Sequence, residues 1–287
     1  MTNHRKQSRR GFTLIELLVG IVIFAIIGAL FTKLLTVQGK FFDRQGMGNA
    51  ARNVSRASLN RVVSDFRMIE ATGGVIAASP TSLTLRIPFA IGVVCKGVNG
   101  GTALSLLPVD STTYVNASYY GYAWRGFQNG AYRYVESGSS RETGNPADCA
   151  SVLITTVTGG KNVLVKPPVP PDSAGLGTPV FLYSRIRYDF KASTAVPGKL
   201  GLWRTSILPN GNESTEELVA PFDNTAHWAF FTLNGGATAQ ANPPATLSNI
   251  RGLELHLDGM SETIAPGQVT NEKAPFTTAV YFKNRIN

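Results

Sequence analysis

The chain has 287 residues, 43% of them apolar and 16% charged, with only two cysteines. That balance excludes a disordered polyelectrolyte and a protein of several membrane spans, and it leaves one large domain or two small ones. The formal net charge is +9. Four cations (Arg5, Lys6, Arg9, Arg10) precede Phe12, so the remainder carries 9 − 4 = +5, a diffuse excess that is weak support for a nucleic-acid partner.

From Phe12 to Phe31 the chain is apolar except for small or hydroxylated residues and Glu16. Twenty residues at a helical rise span about 30 Å, the thickness of a bilayer's hydrocarbon core. The basic flank predicts a cytoplasmic amino terminus, with the rest of the chain outside. A cleaved secretory signal fits poorly, because the apolar run is long and Gly28-Ala29-Leu30 is a poor cleavage site buried within it. A plain membrane anchor fits the length but gives no role to Glu16. An acid in lipid is costly and by default requires a partner.

Gly11-Phe12-Thr13-Leu14-Ile15-Glu16-Leu17-Leu18-Val19, preceded by Arg9-Arg10, resembles the processing motif of type IV prepilins and type II secretion pseudopilins. The resemblance implies that a prepilin peptidase cuts between Gly11 and Phe12 and methylates the new amino terminus at Phe12. Glu16 then becomes the fifth residue and pairs with the amino terminus of a neighbouring subunit, which relieves the cost of a lone carboxylate in lipid. The implied organisation is a leader over 1–11, a membrane or filament-core helix over 12–35, an amphipathic continuation over 36–72 and an extracytoplasmic β-rich domain over 73–287.

Lys33 to Gln38 continue the helix. Gly39, Gly46 and Gly48 then loosen it, each at about 1 kcal/mol relative to alanine. The resemblance implies a segment that unwinds on packing into a filament; a plain exposed kink is the alternative. From Asn49, a candidate cap, Val54, Leu59, Val62, Val63, Phe66 and Ile69 fall near one face at helical spacing, and Gly73-Gly74 ends the run. Arg52, Arg56, Arg61 and Arg67 take other faces, solvated or in contact with neighbouring subunits.

Beyond Val75 the pattern changes to strands: Leu83 to Phe89, with Pro88 marking an edge, then Ile91 to Cys95, Tyr114 to Trp124, Ala131 to Val135 and Ser151 to Val157. Lys166 to Asp172, with four prolines, predicts a loop or polyproline spacer that divides the domain into two sheets. Phe181 to Phe190, Gly201 to Leu208, Leu218 to Phe222, Trp228 to Leu233, Ile250 to Leu257 and Thr277 to Phe282 complete an antiparallel meander. The fold class is α+β, a long amino-terminal helix packed on an antiparallel β domain. In an exported domain Cys95 and Cys149 default to a disulfide, which closes a loop of about 55 residues and stabilises by about 4 kcal/mol.

No catalytic motif is present: there is no Gly-x-Ser-x-Gly, phosphate loop or His-Glu-x-x-His, and only His227 and His256 remain after processing. No cofactor or metal is expected. Asp223, Asp258 and Glu262 are too scattered in sequence to name as a calcium site. The tyrosines of 119–122 and 132–134 are expected as ordinary strand residues rather than a stacking surface for bases or sugars.

Asn49-Ala50-Ala51-Arg52, with Leu59 to Arg67, is similar to the region after the membrane helix in PilW-like minor pilins and J-type pseudopilins. Tyr188-Asp189-Phe190, Leu200 to Arg204 and Val280 to Arg285 are shorter resemblances to the same group. They imply a non-enzymatic subunit that initiates or caps a type IV pilus or secretion pseudopilus. Its partners would be the prepilin peptidase, other major and minor pilins through the helix, and the inner-membrane assembly platform. A competence pilin that binds DNA, or a repeating body subunit of a thick filament, are the alternatives.

Overall fold

The computed structural model describes residues 13–98, 100–126, 130, 132–137, 142–150, 158–171, 174–233 and 235–282. Gly11, Phe12 and the basic run before them, the expected strand over 151–157 and the final residues 283–287 lie outside that set.

The chain opens on α1 (Leu14–Arg67), one unbroken helix of 54 residues and about 80 Å in length. Gly39, Gly46 and Gly48 lie inside it, so the loosened or kinked segment is not present in the isolated chain. Three scattered glycines each weaken a helix, but good helix formers separate them and nothing packs within 4 Å of where their Cβ atoms would stand. Asn49 is not a cap: it sits mid-helix and accepts a hydrogen bond from Arg52 Nη1 at 3.0 Å. The helix stops at Arg67, ahead of the glycine pair, and Gly73 serves the following turn with φ at +81°.

The head contains β1 (Val75–Ala78), β2 (Ser82–Val98), β3 (Gly101–Leu106), α2 (Pro108–Asn116), β4 (Gly121–Arg125), β5 (Tyr132–Glu136), β6 (Glu142–Thr143), α3 (Pro146–Ala150) and β7 (Lys161–Val165). It continues with β8 (Pro179–Ala192), β9 (Leu200–Ile207), β10 (Glu213–Phe222), β11 (His227–Thr232), β12 (Ile250–His256), β13 (Gly259–Met260), β14 (Lys273–Ala274) and β15 (Thr277–Tyr281). All the strand pairs among the described residues are antiparallel, in a large sheet with path β14-β13-β10-β9-β8-β2-β3-β7-β6 and a small one with order β11-β12-β15.

The spine is the long β2–β8 pair, whose register runs from Ser82↔Asp189 to Val93↔Pro179. At one end β2 takes β1 and β8 takes β9; at the other, β2 takes β3 and β8 takes β4. Two cores result. The first joins Val62, Phe66 and Ile69 of the helix region to Leu83, Leu85, Tyr188, Trp228 and Leu253. The second is distal, built on Leu104, Tyr122, Trp124, Val163 and Leu182. The chain between β2 and β8 forms this distal lobe, and the Cys95–Cys149 disulfide lies within it.

Several expectations are corrected. Leu83 to Phe89 and Ile91 to Cys95 are one strand, central in the sheet, but over 86–91 it pairs with β8 alone, so Pro88 sits on a locally free edge as expected. Its nitrogen faces the side that neither β1 nor β3 pairs, and the register shifts just beyond it, between Pro88 and Ala90. Tyr114 belongs to α2, and only Gly121–Arg125 of the expected Tyr114-to-Trp124 strand is extended. Pro108 in the first turn starts this helix, and the Ser111, Thr112 and Thr113 hydroxyls bond back to carbonyls four residues earlier. The proline segment is not a spacer: Val169 is buried, its N–H donates to Thr102 Oγ1 at 2.9 Å, and the Pro167 carbonyl accepts from Tyr122 at 2.6 Å. No single linker divides the sheets: β11, β12 and β15 form the small one, while β13 and β14 return to the large one.

Candidate functional site

Thr13 is extended, with ψ at 151°, and caps α1. Its backbone N–H and its hydroxyl both donate to Glu16 Oε2 at 2.9 Å, while the Glu16 N–H reaches back to Thr13 Oγ1 at 3.4 Å. Thr13-x-x-Glu16 is a capping box, and the spacing is visible in the sequence. The acid therefore has a local function that hydrophobicity does not show: it satisfies donors that the first turn leaves open, at the positive end of the helix dipole.

From Thr13 to Gly46 every residue is exposed, including Leu14, Phe24, Leu30 and Phe31. The apolar surface runs around the whole helix rather than along a stripe, as lipid or a sheath of neighbouring helices would require. Among the described residues one helix, α1, has the length and composition to cross a membrane.

At Ala51 the helix meets the head. Ala51, Ser55, Ser58, Val62 and Phe66 are its buried residues; Val54, Leu59 and Val63 of the expected face are half-buried beside them. Small residues are needed because the backbone of β13 lies directly on the helix. Ser55 Oγ accepts from the Gly259 N–H at 3.1 Å, and a Cβ at Gly259 would strike the Ala51 carbonyl. Further along, the Phe66 ring meets Tyr188 and Trp228 edge-on at 5.4 and 5.6 Å, and Tyr188 donates to Asp65 at 2.5 Å. Burial, then the Asp65 charge, pushes the Tyr188 hydroxyl pKa upward and keeps it a donor. Lower down, Arg44 pairs with Glu272 at 2.8 Å. Arg52, Arg56, Arg61 and Arg67 are all exposed.

The remaining candidates are structural in their contacts. His227 and His256 are cross-strand partners whose rings stack at 4.1 Å; both are half-buried. Asp223 and Asp258 are brought together, with the Thr225 hydroxyl between them, although the sequence separates them widely. Lys273 neutralises Asp223 at 2.5 Å, and Glu262 is exposed. No group of three metal-ligating side chains occurs among the described residues. Tyr119, Tyr120 and Tyr122 are buried, whereas Tyr132 and Tyr134 are half-buried.

Residues 6–32 match the family model described as the prokaryotic N-terminal methylation motif. No curated protein and no solved structure matches the chain. The chain thus carries a methylation motif continuous with an exposed apolar helix, and that combination supports a type IV pilin-like protein.

Proposed function

We propose that the chain is a minor pilin or pseudopilin, a membrane-held subunit that initiates or caps a type IV pilus or type II secretion pseudopilus. The observation that carries this reading is the solvent-exposed apolar half of α1, headed by Thr13 and Glu16 inside the methylation motif. Such a surface needs lipid before assembly and neighbouring helices afterwards. The large two-lobed head supports a terminal rather than a repeating position, since a bulky distal lobe is easiest to accommodate where no subunit packs above it. In this reading the prepilin peptidase cuts between Gly11 and Phe12, Phe12 is N-methylated, and Glu16 pairs with the amino terminus of an adjacent pilin. The amino terminus faces the cytoplasm before assembly, and the head projects outward.

Mass spectrometry of the mature chain tests the processing step. The expected first residue is methylated Phe12; an intact Met1 or another cleavage site overturns it. Quantifying the chain in sheared filaments tests the minor role. Trace copies are expected, and high copy number would make it a body subunit.

A further inference from the structure

The inner face of β8 is apolar at every alternate position but one. Val180 and Leu182 belong to the distal core, while Ile186, Tyr188 and Phe190 belong to the core under the helix. Ser184 falls between them on the same face, by strand alternation. It is only 6% exposed, and its hydroxyl has no hydrogen-bond partner among the described residues. A buried hydroxyl without a partner is costly, and a valine at this position would simply continue the apolar face. The Ser184 hydroxyl instead borders a cleft of about 290 Å³ between the two cores.

The rest of the cleft is polar in a particular way. Arg204 and Ser206 of β9 pair with Tyr188 and Ile186, and Arg204 Nη1 donates to Ser206 Oγ at 3.2 Å. Asp65 closes the helix side: its Oδ2 accepts the Tyr188 hydroxyl, and its Oδ1 has no hydrogen bond among the described residues. Ser64 of α1 and Ser118, just beyond α2, add two more hydroxyls without partners among the described residues. Phe89, at the register shift of β2, contributes a half-buried ring. Arg204 is the only cation and Asp65 the only acid among the lining residues. They lie 3.9 Å apart, and Glu216 stands 3.8 Å from Arg204 on its other side, so no charge in the cleft is left without an opposite one.

We propose that this cleft binds a neutral saccharide, one pyranose ring at a time. Serine hydroxyls both donate and accept, the ionised Asp65 only accepts and Arg204 only donates, which together match a ring bearing several hydroxyls. The Phe89 ring offers the apolar surface that the C–H face of a sugar covers. An anion drawn to Arg204 would meet Asp65, a cation drawn to Asp65 would meet Arg204, and an apolar ligand would desolvate both. The cleft does not depend on the pilin reading, and failure of either leaves the other standing.

The test holds the full chain in a polyoxyethylene detergent, which carries no sugar, and titrates it by calorimetry. The probes are methyl glucoside, methyl galactoside, methyl mannoside and N-acetylglucosamine, with inorganic phosphate and choline chloride as charged counterparts. Saturable binding of at least one sugar is expected, and none of phosphate or choline. Ser184→Val should weaken that sugar about tenfold, because a sugar hydroxyl is left unpaired, while the melting temperature holds or rises as the apolar face is completed. Phe89→Leu, which removes the ring but keeps an apolar side chain, should weaken it by a similar factor. The wild-type series stands even if a variant fails to fold. No saturable binding of any of the four sugars, phosphate or choline bound in preference to all of them, or undiminished sugar binding by both variants would overturn the proposal.

Discussion

One oxygen of Glu16 accepts both the backbone N–H and the hydroxyl of Thr13, at 2.9 Å each, so the acid in the apolar run is engaged by its own helix before any neighbour is present. Assembly through Glu16 would have to compete with this contact. The acid and its amide are distinguishable here, because glutamine closes a capping box almost as well as glutamate but carries no charge. Glu16→Gln and Glu16→Ala should both insert in the membrane and both fail to enter filaments. Thr13→Val, which keeps the backbone donor, should enter them. The measurement is the share of chain in sheared filaments relative to membranes. Wild-type incorporation of Glu16→Gln would show that the charge is not the docking element.

Tyr188 and Asp65 tie the head to the upper helix, at the centre of an aromatic group that includes Phe66 and Trp228. Tyr188→Phe keeps the ring and removes the hydroxyl that donates to a carboxylate. The expected cost is about 1.5–3 kcal/mol, the range for a hydrogen bond to a charged group. It would appear as a fall of several degrees in the melting temperature of the full chain in detergent. An unchanged melting temperature would assign the anchoring to ring packing alone.

The sequence makes the helix and the strands of the near lobe legible because each carries a strong local period. Phe181 to Phe190 falls within β8, and Ile250 to Leu257 covers β12 and one residue beyond it; both bury residues largely in alternation. The helix–head seam is not legible in the same way. Its closest contacts use Ala51, Ser55 and Gly259, small residues selected by backbone approach, and no hydrophobic pattern marks them. Short strands such as β6, β13 and β14 have two residues each and exist only through their partners. The Thr13-x-x-Glu16 spacing is legible as a capping box, but the cost of an acid in lipid points equally to a distant partner, and spacing alone does not separate the two.

The disulfide joins β2 to α3 inside the distal lobe, well away from the helix–head core. Its loss should therefore act on one lobe. Replacing both cysteines by serine is expected to cost about 2–5 kcal/mol in the distal lobe. Limited proteolysis should then cut first between Val98 and Pro179, leaving the near-lobe fragments protected. Uniform cutting across both lobes would show that the lobes do not unfold separately.

Glu217, on β10, fastens the loop between β8 and β9. Its carboxylate accepts from the Ser193 hydroxyl, from the Thr194 hydroxyl at 2.6 Å and N–H at 3.0 Å, and from the Ala195 N–H at 3.2 Å. Burial pushes its pKa up, but the hydrogen bonds from Ser193, Thr194 and Ala195 outweigh that and hold it below the usual carboxylate range. A folded-state pKa that is depressed contributes stability above the unfolded pKa, and that contribution is lost as pH falls through the folded value. The contribution of Glu217 is then complete at neutral pH and declines below about pH 4.3, the ordinary glutamate value. Glu217→Gln cannot titrate. The difference in urea midpoint between wild type and Glu217→Gln should be largest near neutrality and shrink in acid, with faster amide exchange at Thr194 and Ala195 in wild type at low pH. A difference that does not vary with pH would mean that the loop is held by shape and neutral hydrogen bonds, not by the ionised carboxylate.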